Sequence, residues 1–459
     1  MLKNYYHNKI KILKIFKLNQ YLLKKLGLNL ILVFAFISIF SSIYISVNSS
    51  LWMDEIFEIY NSITGNSLDK RMDQASFIYN YLVVFVVKNF GSNVLNFRFI
   101  NSFILLIFLT IIFINFKKSK FFIILAFAIS QKLNIFYLSE IRPYFILNFL
   151  CIFLFFIYFK LLYVQKLNFK NYIYLFVLSF IISGLHYYGY LFVFVILLIL
   201  TINFKKNLYE KFKLISIFIF SSIIPLTLNY QKIILIFNYE INRKSKLINQ
   251  IGEDKNFLSE LYFLFDYIFF SKKIFGLILI LFLLFFIFKK IKFNKRDLYV
   301  LYPLILFIFI SFIISTLIFD KIEWRYLIPI NSCVLFFLYK KLNRSNLTIL
   351  LIFILFSGYG YMIKNKYFLM KKAPYKDIAT FVKKNNSLNV YLDNEFFDEE
   401  VHILRLYFEL ENIKYLKFSD EIKDKEIIFI SKINNLNKHK CIKHNYFDYK
   451  LSFCKNLNK

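Results

Sequence analysis

Cysteine is scarce in this chain, with four in 459 residues. Cys151 and Cys333 fall inside apolar runs, where a thiol packs as a small hydrophobe. Cys441 and Cys454 lie in a polar C-terminal stretch, close enough in sequence to pair if that stretch faces an oxidising compartment. No Cys/His grouping has the spacing of a metal module. Glycine (9) and proline (5) are also sparse beside heavy use of Lys, Asn, Ile, Phe and Tyr, a bias that suggests an AT-rich coding sequence and says nothing of function. Acidic residues number 28 against 59 basic ones, for a formal charge of +31. Such an excess could serve nucleic acid, but the lysines come in bursts between apolar runs and not on one soluble face, so no nucleic-acid partner is expected. Charges inside the apolar runs are almost absent, which counts against the buried ion relay of an ion-coupled transporter. No small-residue cleavage site follows the lysine-rich N-terminus before the first long apolar segment, so no cleavable signal is expected.

What the chain has is apolar length. It is 59% hydrophobic with a mean hydropathy of +0.56. Stretches of about 17–22 largely apolar residues recur, each able to cross about 30 Å of hydrocarbon. The expected fold is a polytopic α-helical membrane protein of about eleven spans with a small C-terminal α/β domain. Spans are expected near 27–48, 97–116, 121–138, 143–162, 171–185, 187–204, 214–236, 273–288, 298–319, 326–339 and 346–363. A shorter apolar stretch at 77–90 suits an interfacial or re-entrant segment. Residues 1–25 carry Lys3, Lys9, Lys11, Lys14, Lys17, Lys24 and Lys25 with no acid, and should remain cytoplasmic. The lysine-dense loops then all fall on the cytoplasmic side, and the acid-containing loops with the C-terminal stretch fall outside. The exception is the basic loop at 238–273.

Three parts are expected: a basic segment 1–25, a membrane domain 26–365, and an extracytoplasmic domain 366–459. In the last, Tyr375–Asn386 and Glu399–Leu410 have helical patterning, and Asn389–Leu392 and Glu426–Ile430 read as strands.

The outer loops hold the candidate chemistry. Asp54 and Glu55 sit in Leu51–Tyr60, LWMDEIFEIY, between two apolar segments, with Glu58 one helical turn beyond Asp54. A carboxylate there can act as a general base or hold Mg2+ or Mn2+; a solvated loop acid has the same letters. Glu140 and Arg142 precede Pro143, which suits a first helical turn. That arginine can grip a phosphate in a bidentate way, or close a local salt bridge at a span entrance. His186 occupies a very short turn with Tyr187 and Tyr188, as ligand, proton carrier or hydroxyl orienter, or as a plain interfacial histidine. Arg325 follows Trp324 at a span end, where snorkelling residues are also usual. Their joint occurrence on one side is the informative feature.

In order, LWMDE, SEIRPY (139–144), HYYG (186–189) and WRYLIP (324–329) resemble the membrane glycosyltransferases of the GT-C fold. The nearest resemblance is to the bacterial branch akin to dolichyl-phosphate-mannose protein mannosyltransferases and lipid A aminoarabinose transferase. The likeness extends over nearly the whole chain. One departure is that many relatives carry a His-Pro-Pro-like stretch where this chain reads Asp73-Gln74-Ala75-Ser76-Phe77. The resemblance implies transfer of a sugar from a polyprenyl-phosphate carrier to a lipid, glycan or protein acceptor outside the cytoplasm, usually with inversion. It implies a multi-pass protein of the bacterial inner membrane. Asp54 would be the catalytic base with Glu55 beside it. Glu140, Arg142, Tyr144, His186, Tyr187, Arg325 and Tyr326 would bind the donor phosphate or sugar. No cofactor is required; Asp54, Glu55 and His186 are the side chains a divalent cation could use. The rival expectation is a lipid-linked glycan flippase or a polysaccharide ligase.

Overall fold

The computed structural model describes residues 27–46, 55, 59, 77–90, 100–110, 120–140, 142–164, 168–203, 208–247, 257–269, 295–317, 324–364, 375–384, 389–392, 404, 407–408, 413–414, 416–417, 426–431, 439–446 and 449–456. Its contacts divide the chain into two compact units. One comprises Met1–Ile43, Gln74–Tyr79 and Phe99–Phe368; the other comprises Tyr44–Asp73, Asn80–Arg98 and Leu369–Lys459.

The helices are α1 (Gly27–Ser46), α2 (Phe77–Phe90), α3 (Ile100–Thr110), α4 (Lys120–Ser130), α5 (Lys132–Leu138), α6 (Tyr144–Val164), α7 (Phe169–Leu185) and α8 (Tyr187–Asn203). They continue with α9 (Leu208–Leu247), α10 (Phe257–Phe269), α11 (Lys295–Leu317), a 3-10 turn (Trp324–Leu327), α12 (Pro329–Lys341) and α13 (Arg344–Lys364). Among the described residues, four helices are long and apolar enough to cross a membrane, and five if the bent pair α4–α5 is one span. The chain is an α-helical membrane protein on this evidence. Large apolar side chains stand exposed along α1 (Phe36, Phe40) and α9 (Ile215, Phe220, Ile223), a surface that water would penalise and lipid would not.

The centre of the first unit is α6. Apart from Asn148 and Lys160 it is apolar on every side, as suits a helix surrounded by others. Phe145, Phe149, Phe155 and Tyr158 are all fully buried. Phe155 meets Phe336 of α12 at 5.2 Å, and Phe121 of α4 stacks against Phe156 at 4.3 Å. Two departures from the sequence reading have physical reasons. The run 121–138 is not one straight span: it breaks at Gln131 with a 61° bend. The span expected to end near 236 continues as helix to Leu247, because Pro225 is the only helix breaker in its length. At 40 residues it is about 60 Å long, twice a bilayer's hydrocarbon.

In the second unit, α14 (Tyr375–Lys384) buries Ile378, Ala379 and Val382 on one face. The strands β1 (Asn389–Leu392), β2 (Leu416–Lys417), β3 (Glu426–Ser431), β4 (His439–Tyr446) and β5 (Tyr449–Asn456) form one sheet in the order β2-β1-β3-β5-β4. The β1 strand pairs parallel with β2 and with β3, while β5 runs antiparallel to both β3 and β4.

Candidate functional site

Bending a span in mid-membrane frees backbone carbonyls that lipid cannot satisfy. This chain supplies side-chain donors. Asn134 Nδ2 donates to the Ala128 carbonyl, Ser38 Oγ to Ile129 at 2.7 Å, and the Tyr359 hydroxyl to Ser130 at 3.3 Å. At the break an amide ladder crosses the unit. Gln131 Nε2 donates to Asn331 Oδ1 at 3.1 Å, and Asn331 Nδ2 donates back to Gln131 Oε1 at 2.8 Å and to Asn148 Oδ1 at 2.9 Å. Asn148 Nδ2 then donates to Asn134 Oδ1 at 3.2 Å. Beside it, Lys132 Nζ donates to Asp266 Oδ2 of α10 at 3.0 Å, with both side chains buried. The expectation that spans carry almost no charge is therefore corrected at Lys132. A residue that reads as an interruption of an apolar run is tolerated because Asp266 neutralises it.

The short helix α5 leads directly to the segment Ser139–Pro143. Asn101 of α3 holds that segment by donating from Nδ2 to the backbone oxygens of Tyr137 (3.0 Å), Glu140 and Arg142 (3.3 Å). The Arg142 guanidinium stands 3.6 Å from the buried Glu140 carboxylate. Tyr144 opens α6 and packs against Tyr137 at 4.8 Å.

His186 joins α7 to α8 in an extended conformation. Gly189 lets the two helices close: a Cβ there would stand 2.5 Å from the Ile182 carbonyl oxygen. The His186 ring lies 4.3 Å from Tyr187, 5.4 Å from Tyr144 and 5.3 Å from Tyr326. Tyr326 in turn stacks on Tyr188 at 5.2 Å. The Arg325 guanidinium lies 5.8 Å from the Tyr144 ring and 5.7 Å from that of Tyr326, within cation–π range of both.

Burial first, and then the Arg325 charge, push the His186 pKa down to about 3, so the ring is neutral. Its Nδ1 accepts from the Tyr188 N–H at 3.2 Å, which places the ring's proton on Nε2. Among the described residues that Nε2 has no hydrogen-bond partner. His186 is therefore a donor in waiting, rather than the proton carrier or lone-pair ligand that its type alone allowed.

Seven of the nine candidate residues thus gather in one place: Glu140, Arg142, Tyr144, His186, Tyr187, Arg325 and Tyr326. With the histidine neutral, the described residues of the cluster carry two guanidinium groups and one carboxylate. Its aromatic faces suit a stacked ring or an organic head group. Asp54 lies outside the described residues. Glu55 is helical and fully buried, one turn before the equally buried Ile59, and belongs to the second unit. Among the described residues no three His, Cys, Asp or Glu side chains are grouped to hold a metal ion. Asn101 and the Lys132–Asp266 pair are the participants that residue patterns alone did not single out. Asn101 was visible only as a polar residue at the mouth of an apolar run.

No protein-family model, curated protein or solved structure matches the chain.

Proposed function

We propose that the protein is a membrane glycosyltransferase that moves a sugar from a polyprenyl-phosphate donor to an acceptor on the extracytoplasmic face, with inversion at the anomeric carbon. The observation that carries this reading is the meeting of three separated segments, 140–144, 186–187 and 325–326, in one cationic, aromatic cluster. Displacement of a phosphate from an anomeric carbon needs positive charge and hydrogen-bond donors on the departing oxygens. Arg142 and Arg325 supply the charge, and His186 Nε2–H supplies a donor. Tyr144, Tyr187 and Tyr326 offer faces for the sugar ring. The other requirement is a base on the incoming hydroxyl. Asp54 takes that role, with Glu55 as its acidic neighbour. The acceptor oxygen bonds to the anomeric carbon, the bond from that carbon to the phosphate oxygen breaks, and the hydroxyl proton passes to Asp54. The lipid tail of the donor accounts for a catalytic chain built largely of membrane spans, and the GT-C resemblance of the four motifs points the same way. The C-terminal α/β domain faces the periplasm or outer space, and the N-terminus the cytoplasm of an inner membrane.

The test is transfer of labelled sugar from defined polyprenyl-phosphate donors by the purified protein. Asp54→Asn and Arg142→Ala should abolish transfer while the protein stays folded; unchanged transfer in both variants overturns the reading.

One observation favours a second reading. The buried Lys132–Asp266 pair is the kind of intramembrane charge a transporter uses. A flippase of lipid-linked glycans would move labelled donor across reconstituted vesicles and make no new glycosidic bond.

A further inference from the structure

The register of the C-terminal sheet sets Cys441 of β4 directly opposite Cys454 of β5. Tyr446 pairs with Tyr449, so two residues close this hairpin. A turn of that length links the carbonyl and N–H of its flanking residues, which makes Tyr446–Tyr449 a hydrogen-bonded pair. Bonded and non-bonded pairs alternate along an antiparallel ladder. Five positions out, Cys441–Cys454 is then a non-bonded pair, the kind whose Cα atoms come within about 4.5 Å and whose side chains share a face. That separation lies inside the range a disulfide spans, about 4.4–6.8 Å between Cα atoms. The alternation also assigns the faces. Ile442–Phe453, His444–Leu451 and Tyr446–Tyr449 share one side of the hairpin, and the cysteines share the other with Lys443–Ser452 and Asn445–Lys450. On the β3 side of that face, Ile427 stands opposite Cys454. The strand it would fasten is the last in the sheet order, with β5 as its one neighbour among the described strands. The other two cysteines, Cys151 and Cys333, are free and buried in the first unit.

We propose that Cys441 and Cys454 form a disulfide that staples edge strand β4 to β5, introduced by a dithiol–disulfide oxidase of the extracytoplasmic compartment. The proposal rests on the reading that this sheet faces outside the cytoplasm. One cysteine thiolate attacks the oxidase disulfide, breaking its S–S bond and forming a mixed disulfide. The second thiolate displaces the oxidase, which leaves as a dithiol carrying the two electrons and the two protons given up by the cysteines.

The experiment uses the full-length protein in right-side-out membrane vesicles and a membrane-impermeant maleimide–polyethylene glycol. Wild type should take no tag before reduction and two after a mild reductant, while Cys454→Ser should take one tag at Cys441 without reductant. If Cys454→Ser is tagged but wild type takes two tags unreduced, the sheet faces outside and the disulfide does not exist. If Cys454→Ser is tagged only after the vesicles are opened, the outward placement fails and the proposal falls with it. A non-reducing digest after alkylation gives a readout independent of access. A peptide pair joined through Cys441 and Cys454 supports the staple, and two alkylated cysteines overturn it.

Discussion

The amide ladder at Gln131 and the cluster at His186 are both polar islands among apolar helices, yet their groups are arranged differently. In the ladder, carboxamides bond carboxamides: Gln131 and Asn331 exchange hydrogen bonds and Asn148 passes the chain to Asn134. Such a network is complete without a ligand, and its consequence is a fixed bend between α4 and α5. In the cluster, the Arg325 guanidinium lies over two tyrosine rings and a buried histidine donor has no partner among the described residues. A buried unsatisfied donor costs about 1–3 kcal/mol, so it persists only where something recovers the cost. The first island is architecture. The second keeps a buried donor that no described residue uses.

The largest way to break this contrast is through the ion pair beside the ladder. Lys132→Met leaves the Asp266 charge buried and uncompensated, and should destabilise the protein by about 3–5 kcal/mol in thermal unfolding in detergent. Lys132→Met combined with Asp266→Leu should recover most of that loss. If the single variant melts like wild type, the pair is not structural.

Next in size is Arg325→Ala, which should slow sugar transfer by about a hundredfold, the scale of losing one group that stabilises departing charge. Its melting temperature should stay closer to wild type than that of Lys132→Met, since Arg325 takes no part in the ladder or its ion pair. A large fall in stability with transfer unchanged would reverse the assignment of the two islands.

Asn331→Leu should do the opposite of Arg325→Ala. It strands the amides of Gln131 and Asn148 and should cost about 1–3 kcal/mol of stability. Donor binding, measured on the protein that remains folded, should be little changed.

A further effect is in pH dependence. His186 stays neutral in the fold down to about 3, whereas in the unfolded chain it gains a proton below its ordinary 6.5. Between those values the unfolded state binds more protons, so stability falls as pH falls through that window. His186→Gln should flatten that part of a melting-temperature profile. A slope identical in the variant would mean that His186 is solvated or charged in the fold.

How much of this was legible beforehand differs by element. The segments at 140–144, 186–187 and 325–326 stand out because charge and aromatic residues collect where apolar runs stop, and chain ends of spans on one side of a membrane are forced near each other. The break at Gln131 did not stand out. Residues 121–138 are apolar enough to read as one span, and hydropathy averages over the single Gln131–Lys132 interruption. Its partners Asp266, Asn331 and Asn148 come from three other helices, and only tertiary structure brings amide to amide. Strands β1 and β3 were visible in Asn389–Leu392 and Glu426–Ile430, where β-branched and aromatic residues run together. The hairpin β4–β5 was not, because HKCIKHNY and YKLSFCKN are rich in lysine and polar residues and declare themselves only by pairing. Asp54, singled out by its loop between two apolar segments and by motif order, lies outside the described residues.

The central claim is that the His186–Arg325–Arg142 cluster receives the phosphate of a lipid-linked donor. The most direct measurement is binding of a polyprenyl phosphate, without sugar, to purified wild type, to Arg142→Ala with Arg325→Ala, and to Asn331→Leu. Saturable binding by wild type and Asn331→Leu, and its loss in the arginine double variant with the fold intact, is the result the account predicts. Equal affinity in all three proteins would contradict it.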